Sequence, residues 1–381
     1  MLVLVVTSIA ICLGGAVYIF GGLSHLSPLL SPTKTTRISF PTRELSGTRA
    51  TALLVYHIIR SVLRRIGLGL KLDIKQEVDA QYTLQNADIS LDMPFRITPH
   101  DIQRYIQCLS SNTSLDVDDI LDSPHHMQLL LSALTEPAML LLLSKINCPI
   151  DPVGSVNVRN AFELKDPSTT KKTLRERLGS QSSTNRDAVP LNCEARLSRE
   201  VKQVKRGWEF TIMVDLVEAL QEARTTIYTQ AFTFLVFHFH KHSQPPPAST
   251  KADEIEAETC NIAGFRIGAR EPSSWADLSK DYNPIHTSTF AARLLGFRSK
   301  IAHGNHVVAK AIHGAASYLE RGPIDALDGT GIRRMEVEFK RPVPVPSSLE
   351  TRVPEDDDKE HGRKHLEIWV NGKVATTVTC S

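Results

Sequence analysis

The sequence predicts an α+β protein built from two similarly ordered halves behind an apolar N-terminal segment. Three observations carry that reading. The first 23 residues after the initiating Met are almost wholly apolar and contain no charge. A Pro-rich then acidic stretch, SQPPPASTKADEIEAE (243–258), divides the rest. On each side of it, helical periodicity comes first and strand-like alternation follows, the order expected when an antiparallel sheet wraps around an apolar helix.

The bounds agree with two domains. The chain has 381 residues and 41% hydrophobic content, enough to bury two cores. A net charge of +2 supplies no field for nucleic acid. Cys12, Cys108, Cys148, Cys193, Cys260 and Cys380 show no paired spacing, so neither a disulfide framework nor a zinc motif is expected, and the thiols read as free in a reducing compartment.

Residues 1–24 read as a membrane anchor. LVLVVTSIAICLGGAVYIFGGL (2–23) would make a helix of about 33 Å, matching a bilayer core. The competing reading is a cleaved signal peptide, but the basic n-region is missing and the apolar core is long. Lys34, Arg37 and Arg43 precede the first acid, Glu44, which places the body in the cytosol by the positive-inside rule. A mitochondrial location is the alternative, although the continuous apolar run is unlike an amphipathic transit peptide. Residues 25–70 are then a basic linker and amphipathic helix. In TALLVYHIIRSVLRRIGLGL (51–70), His57, Arg60, Ser61, Arg64 and Arg65 form one stripe and Leu54, Val55, Ile58, Ile59, Val62 and Ile66 another. That helix either lies on the lipid surface, its arginines attracted to an anionic leaflet, or packs on the domain that follows.

The first globular domain spans 71–242. It predicts a strand at FRITP, a helix from His100 to Leu109, and an apolar helix MQLLLSALTEPAMLLLLSKI kinked or broken at Pro137. Strands follow at GSVNVRNAFEL, NCEARLSREVKQV, GWEFTIMVDLVEA and TTIYTQAFTFLVFHFH, with LGSQSSTNRD (178–187) as a surface loop. His238, His240 and His242 fall on one strand face, a row more typical of a solvated edge than of a metal site. In the second domain, 259–381, CNIAGFRIG is a strand and SSWADLSKDYNPIHTS a long polar excursion. TFAARLLGF and GNHVVAKAIHGAASYLE are helices, the first ended by Gly296. RRMEVEFKRPV, SSLETRV, HLEIWVN and KVATTVTC are strands.

The excursion carries the chemistry. In DYNPIH, Asn283-Pro284 favours a turn and Pro284 suits the first position of a helix. Asp281 then precedes the turn and His286 follows it, so both side chains can face one cavity. An Asp and a His five residues apart are, by themselves, more often a turn cap and a surface residue.

Context decides between these readings. Trp275, Ser279, Asp281, Asn283, Pro284, Ile285 and His286, followed by Ala291, Gly296, Phe297, Ile301, Ala302, His303 and Gly304, resemble the signature of the MaoC-like (R)-specific enoyl-CoA hydratases, or hydratase 2 family. The strong resemblance covers about 260–350, including VEFKRPVPVPSSL. The first domain resembles, more loosely, the degenerate N-terminal half of two-domain hydroxyacyl-thioester dehydratases, with DPVGSVNVRN at the strand facing the acyl site. Lys280 stands where the family has glycine, and Asn305 where it has methionine.

The resemblance implies a double hot-dog, two curved antiparallel sheets each around a central helix, in which one chain mimics the dimer of single-unit members. A further oligomer is then not required. It implies reversible addition of water to a trans-2-enoyl thioester of CoA or acyl carrier protein, giving the (R)-3-hydroxyacyl thioester, with no cofactor and no metal. Asp281 and His286 would be catalytic and hold the water. Gly304, at a helix start, would offer N–H groups to the thioester oxygen. Asn283, Ser279 and His303 would support the site. Arg298, Lys300, Arg333, Arg334, Lys340 and Arg341 are candidate phosphate contacts. The first domain lacks the D-x-N-P-x-H pattern, so one active site per chain is expected. Two other functions compete: a non-catalytic acyl-thioester-binding scaffold, and a hot-dog thioesterase. The thioesterase would need a carboxylate on the central helix, and residues 304–318 contain none.

Overall fold

A computed structural model describes residues 24–65, 72–77, 81–110, 114–180, 190–220, 223–237, 259–320, 334–354 and 363–381. The expected anchor, the 243–258 linker, the His238–His242 row, Cys12 and Arg333 lie outside the described residues.

The strands are β1 (Thr35–Arg37), β2 (Ile74–Gln76), β3 (Tyr82–Leu84), β4 (Ser90–Phe95), β5 (Ser155–Leu164), β6 (Leu191–Val204), β7 (Gly207–Leu220) and β8 (Ala223–Phe237) in the N-terminal half. The C-terminal half supplies β9 (Thr259–Ile267), β10 (Arg334–Phe339), β11 (Ser347–Pro354), β12 (Lys364–Val370) and β13 (Lys373–Cys380). All thirteen form one sheet, with the path β1-β4-β6-β7-β8-β5-β10-β13-β12-β11-β9 and the β2–β3 hairpin beside β6. The halves join where β5 and β10 pair antiparallel, Asn160 opposite Val337. Strand alternation sets the buried face: β4 and β12 bury every second residue.

Ten helices are described: α1 (Gly47–Arg65), α2 (Pro99–Leu109), α3 (Val117–Asp122), α4 (Pro124–Ser144), α5 (Pro167–Ser180), α6 (Glu271–Ser279), α7 (Pro284–Thr287), α8 (Thr289–Leu294), α9 (Gly304–Gly314) and α10 (Ala316–Leu319). The long helices α4 and α9, one from each half, lie on the concave side of the sheet and pack on each other. This is the double hot-dog arrangement. Helix α4 is the one helix among the described residues long and apolar enough to cross a membrane, and it is almost wholly buried as a core helix. It continues through Pro137 as one helix, without a break. Proline forfeits only the bond to Ala133's carbonyl, and packing on both flanks holds the turn.

Two other expectations are corrected. The stretch read as a polar excursion begins with helix α6, which Pro272 at its first turn signals and which buries Trp275, Ala276 and Leu278. Helix α1 packs on the body, and its basic stripe faces inward. His57 bonds Ser144, the Arg60 guanidinium donates to the carbonyls of Leu143, Lys145 and Ile150, and Arg64 donates to those of Cys148 and Pro149. The reason is electrostatic: the Leu143 and Lys145 carbonyls lie at the negative end of the α4 dipole, and those of Cys148, Pro149 and Ile150 belong to the loop that follows, outside any helix. Arginines 60 and 64 are therefore not free to meet lipid, and the apolar stripe faces out, with Ile59 51% and Val62 53% exposed.

Arg60→Met should therefore destabilise the fold by about 2–4 kcal/mol, because it strands three carbonyls at a buried helix end. Ile59→Ser should change stability by under about 0.5 kcal/mol. Urea denaturation of the two variants checks both; equal effects would contradict the inward-facing stripe.

Candidate active site

Asp281 follows α6 by two residues, and the turn between them depends on backbone geometry. Lys280 ends the helix in the left-handed conformation, φ 62°, so it occupies a glycine-type position despite carrying a side chain. The Asp281 N–H donates to Ser279 Oγ at 3.3 Å, and Asp281 Oδ1 accepts the Asn283 N–H at 3.1 Å. Asn283 in turn caps α7 by accepting the Ile285 N–H. These bonds give Ser279 and Asn283 positioning roles. Pro284 opens α7, as the sequence suggested, and His286 follows within the same first turn.

His286 is pinned from two sides. Its Nδ1 bonds the Ile301 carbonyl at 2.8 Å, and the Ile301 N–H returns a bond to the Ile285 carbonyl. A carbonyl only accepts, so Nδ1 carries the proton and Nε2 is a bare acceptor. That Nε2 lies 3.8 Å from Asp281 Oδ2. His303 stacks on His286 with ring centroids 3.8 Å apart, and its Nε2 donates to the Asp281 backbone carbonyl at 3.0 Å. Burial drives the His286 pKa down, opposed by Asp281 and by the bond to Ile301. Burial and the neighbouring His286 hold His303 well below the ordinary imidazole range. Both rings are neutral near pH 7.

Two acceptors 3.8 Å apart cannot bond each other, but one water can donate a hydrogen to each. Ligand atoms of Asp281, His286 and His303 also lie within 4.8 Å of one another, a grouping able to hold a metal ion. His303 Nε2 is committed to the Asp281 carbonyl, which leaves His286 Nε2 and Asp281 Oδ2 as the open atoms that face each other.

These groups open into a cavity of about 370 Å³ between the halves. Glu136, Met139, Leu140 and Leu143 of α4 line one wall at helical spacing. Gly304 lines the other, as the first residue of α9, which has no side-chain cap. A Cβ at Gly304 would fall 2.4 Å from the Phe339 ring, so this approach to the helix start requires glycine. Four buried polar atoms of the wall have no protein partner: Glu136 Oε2, Asn157 Oδ1, Trp275 Nε1 and His303 Nδ1. Asn305 does not simply alter the lining. Its amide donates to Ser132 Oγ at 3.0 Å and its oxygen accepts from Asn160 at 2.8 Å, tying α9 to α4 and β5.

Of the candidate phosphate contacts, Lys340 and Arg341 line the cavity. Arg334 pairs with Glu336, Lys300 bonds the Ala269 carbonyl, and Arg298 is exposed away from the lining. Sequence reasoning missed Arg206 in the β6–β7 turn and Glu136, and covered Asn157 only within the stretch 151–160. Only Glu136 carried a signal: it is the one charged residue in the 21 residues of α4.

Comparison with known proteins agrees with this fold. Residues 256–377 match the MaoC like domain family. The 3-hydroxyacyl-thioester dehydratase X of Mycobacterium tuberculosis is 28% identical over 251 residues, 63% of this chain and 76% of that protein. The chain carries a MaoC-like dehydratase domain and is homologous to that dehydratase. Among solved structures, M. tuberculosis HtdX superimposes with TM-score 0.50 at 20% identity, covering 76% of this chain and 98% of HtdX. A MaoC-like dehydratase from Phytophthora capsici gives TM-score 0.50 at 13% identity, covering 76% and 94%. The structural likenesses speak to the fold.

The buried histidines set an acid limit. Burial lowers His57 and His126 to about 3 and His125 and His306 to about 4, against 6.5 for a free imidazole. Between those values the unfolded chain binds more protons than the folded one, so stability is full above pH 6.5 and falls as the pH drops toward 4. Melting temperatures at pH 7.5, 6 and 5 should decline in that order; a constant value would contradict neutral burial.

Proposed function

We propose that the chain is a hydro-lyase that interconverts trans-2-enoyl thioesters and (R)-3-hydroxyacyl thioesters. One observation carries the reading: the bare His286 Nε2 and Asp281 Oδ2, 3.8 Å apart, share a cavity with the free start of α9 at Gly304. A water donating to both acceptors has its lone pairs directed outward, toward C3 of a bound enoyl group. As the C–O bond forms, the pair takes a proton from that water and delivers one to C2 on the same face. Charge gathering on the thioester oxygen meets the N–H groups and dipole at the start of α9. Lys340, Arg341 and Arg206 at the cavity mouth suit the phosphate of a phosphopantetheine arm, which CoA and acyl carrier protein share. The name of the M. tuberculosis relative supports the same substrate class.

A scaffold role leaves an oriented, unpaired Asp–His couple unexplained. A thioesterase would require a carboxylate base at the thioester carbon, and α9 offers none.

Asp281→Asn and His286→Ala should each lower hydration of enoyl thioesters by at least about 100-fold, and the double variant should be little worse than either, since both groups act on one water. Loss of enoyl absorbance and chiral analysis of the product measure this. Near-parental turnover in either variant, or a predominantly (S) product, would refute the mechanism.

We further propose that the protein works at a membrane with its body in the cytosol. The uncharged run 2–23 and the outward apolar stripe of α1 support this reading. The full chain should resist carbonate extraction from microsomes while added protease degrades the body. Protection of the body would reverse the orientation, and release by carbonate would remove the anchor.

A further inference from the structure

One carboxyl in the cavity is left unused by the mechanism above. Glu136 comes from the N-terminal half, sits in the most apolar helix among the described residues and is 8% exposed. Its Oε2 has no hydrogen-bond partner. Burying a carboxyl in an apolar wall without a partner costs several kcal/mol, so the position calls for a group that is satisfied only when ligand is present.

The helix shows where along the substrate Glu136 lies. On α4, Glu136 follows Ser132 by one turn, and Ser132 Oγ accepts the bond from Asn305, the residue next to Gly304. Glu136 is thus one turn, about 6 Å, along α4 from the residue level with the start of α9. Met139, Leu140 and Leu143 continue the same stripe for about 10 Å, at 1.5 Å per residue. A thioester with its oxygen at Gly304 puts its reacting carbons beside Glu136 and its alkyl tail along Met139 to Leu143.

We propose that Glu136 is a further catalytic residue of this site: as a neutral acid it donates a hydrogen bond to the oxygen at C3, from the half of the molecule that lacks Asp281 and His286. The inference rests on the hydro-lyase reading. Burial and the nearby Asp281 charge raise the Glu136 pKa well above the ordinary carboxyl range, which keeps it protonated as the role requires. The proton balance is simple. In dehydration the Asp281–His286 pair accepts the C2 proton, the C3–O bond breaks, and the departing oxygen takes a proton from that pair to leave as water. Glu136 retains its own proton throughout and stabilises the charge on the departing oxygen, as a single well-aimed donor does elsewhere. The arrangement also gives the substrate polar contacts on both sides of C3, so a 2-enoyl thioester and its 3-hydroxy product are held by elements of both halves.

The test uses the full chain with Glu136→Gln, which keeps a donor of similar shape, and Glu136→Met, which keeps volume and removes it. Glu136→Met should lower kcat by about 30-fold or more with KM changed less than about 3-fold, and Glu136→Gln should restore most of the rate. Melting temperatures confirm that both variants fold. A folded Glu136→Met variant with parental kcat would overturn the role, as would a Gln variant as slow as the Met one. Free thiol released by the parent and lost in both variants would instead make Glu136 the base of a thioester hydrolysis, which also overturns it. Asp281→Asn assayed alongside separates the two readings. Loss of activity there with an active Glu136→Met variant removes only the role of Glu136, whereas an active Asp281→Asn variant removes the hydro-lyase mechanism itself.

Discussion

The architecture depends on one buried carboxamide. Asn305 bonds Ser132 on α4 and Asn160 on β5, and Asn160 also accepts from Asn157. Ser132 also accepts from Gln230, which in turn accepts from Tyr228 and Thr135, so the clasp is part of a buried polar cluster. Buried polar groups favour the register that pairs them, so these bonds tie the two central helices together. Leaving one member unpaired would cost about 1–3 kcal/mol. A methionine at this position would pack with less directionality and hold the helices less specifically. Because the clasp sits beside Gly304, fixing the helices also fixes the distance from the start of α9 to the acyl wall.

The continuous sheet extends this constraint. With β5 hydrogen-bonded to β10, neither half can rotate against the other without breaking a ladder. The 370 Å³ cavity lies between two halves that this ladder holds together. Electrostatics follow from the same closure. Water-excluded imidazoles stay neutral, which makes His286 Nε2 a lone-pair acceptor beside an ionisable carboxyl.

Much of the second half was legible from local patterns. D-x-N-P-x-H encodes its own geometry: proline sets the helix start, asparagine caps it, and one turn of helix positions the histidine. The strand from Lys373 to Cys380 and the helix starting at Gly304 were equally clear, since alternation and a small-residue helix start are local signals. The partners of those residues were not legible. That His286 is oriented by Ile301, or that Arg60 caps α4 across a separation of 85 residues, depends on how distant segments meet. The orientation of α1 shows the limit well. Its two stripes were read correctly, but periodicity alone gives no sign of which stripe faces the body. A helix end rich in unpaired carbonyls reversed the usual rule that the apolar face turns in.

Two fused halves also relax a requirement that symmetry would impose. In a symmetric pair of identical units, each central helix must serve both as the thioester-binding start and as the acyl wall of its partner. Here the roles are divided. Helix α9 spans 11 residues, begins with Gly304 and carries small residues where it nears the sheet, as at Gly314 against Ala263. Helix α4 spans 21 residues, is filled with Leu and Met, and has no glycine. Its length lets one face carry the clasp at Ser132, a carboxyl at Glu136 and an apolar wall to Leu143 in succession. No helix of α9's composition can do this, since each step needs another turn and a larger side chain. The N-terminal half thus keeps the fold of its sister without the catalytic turn. The long buried helix that replaces symmetry makes the cavity one-sided, with Asp281 and His286 on one side and the apolar Met139–Leu143 stripe on the other.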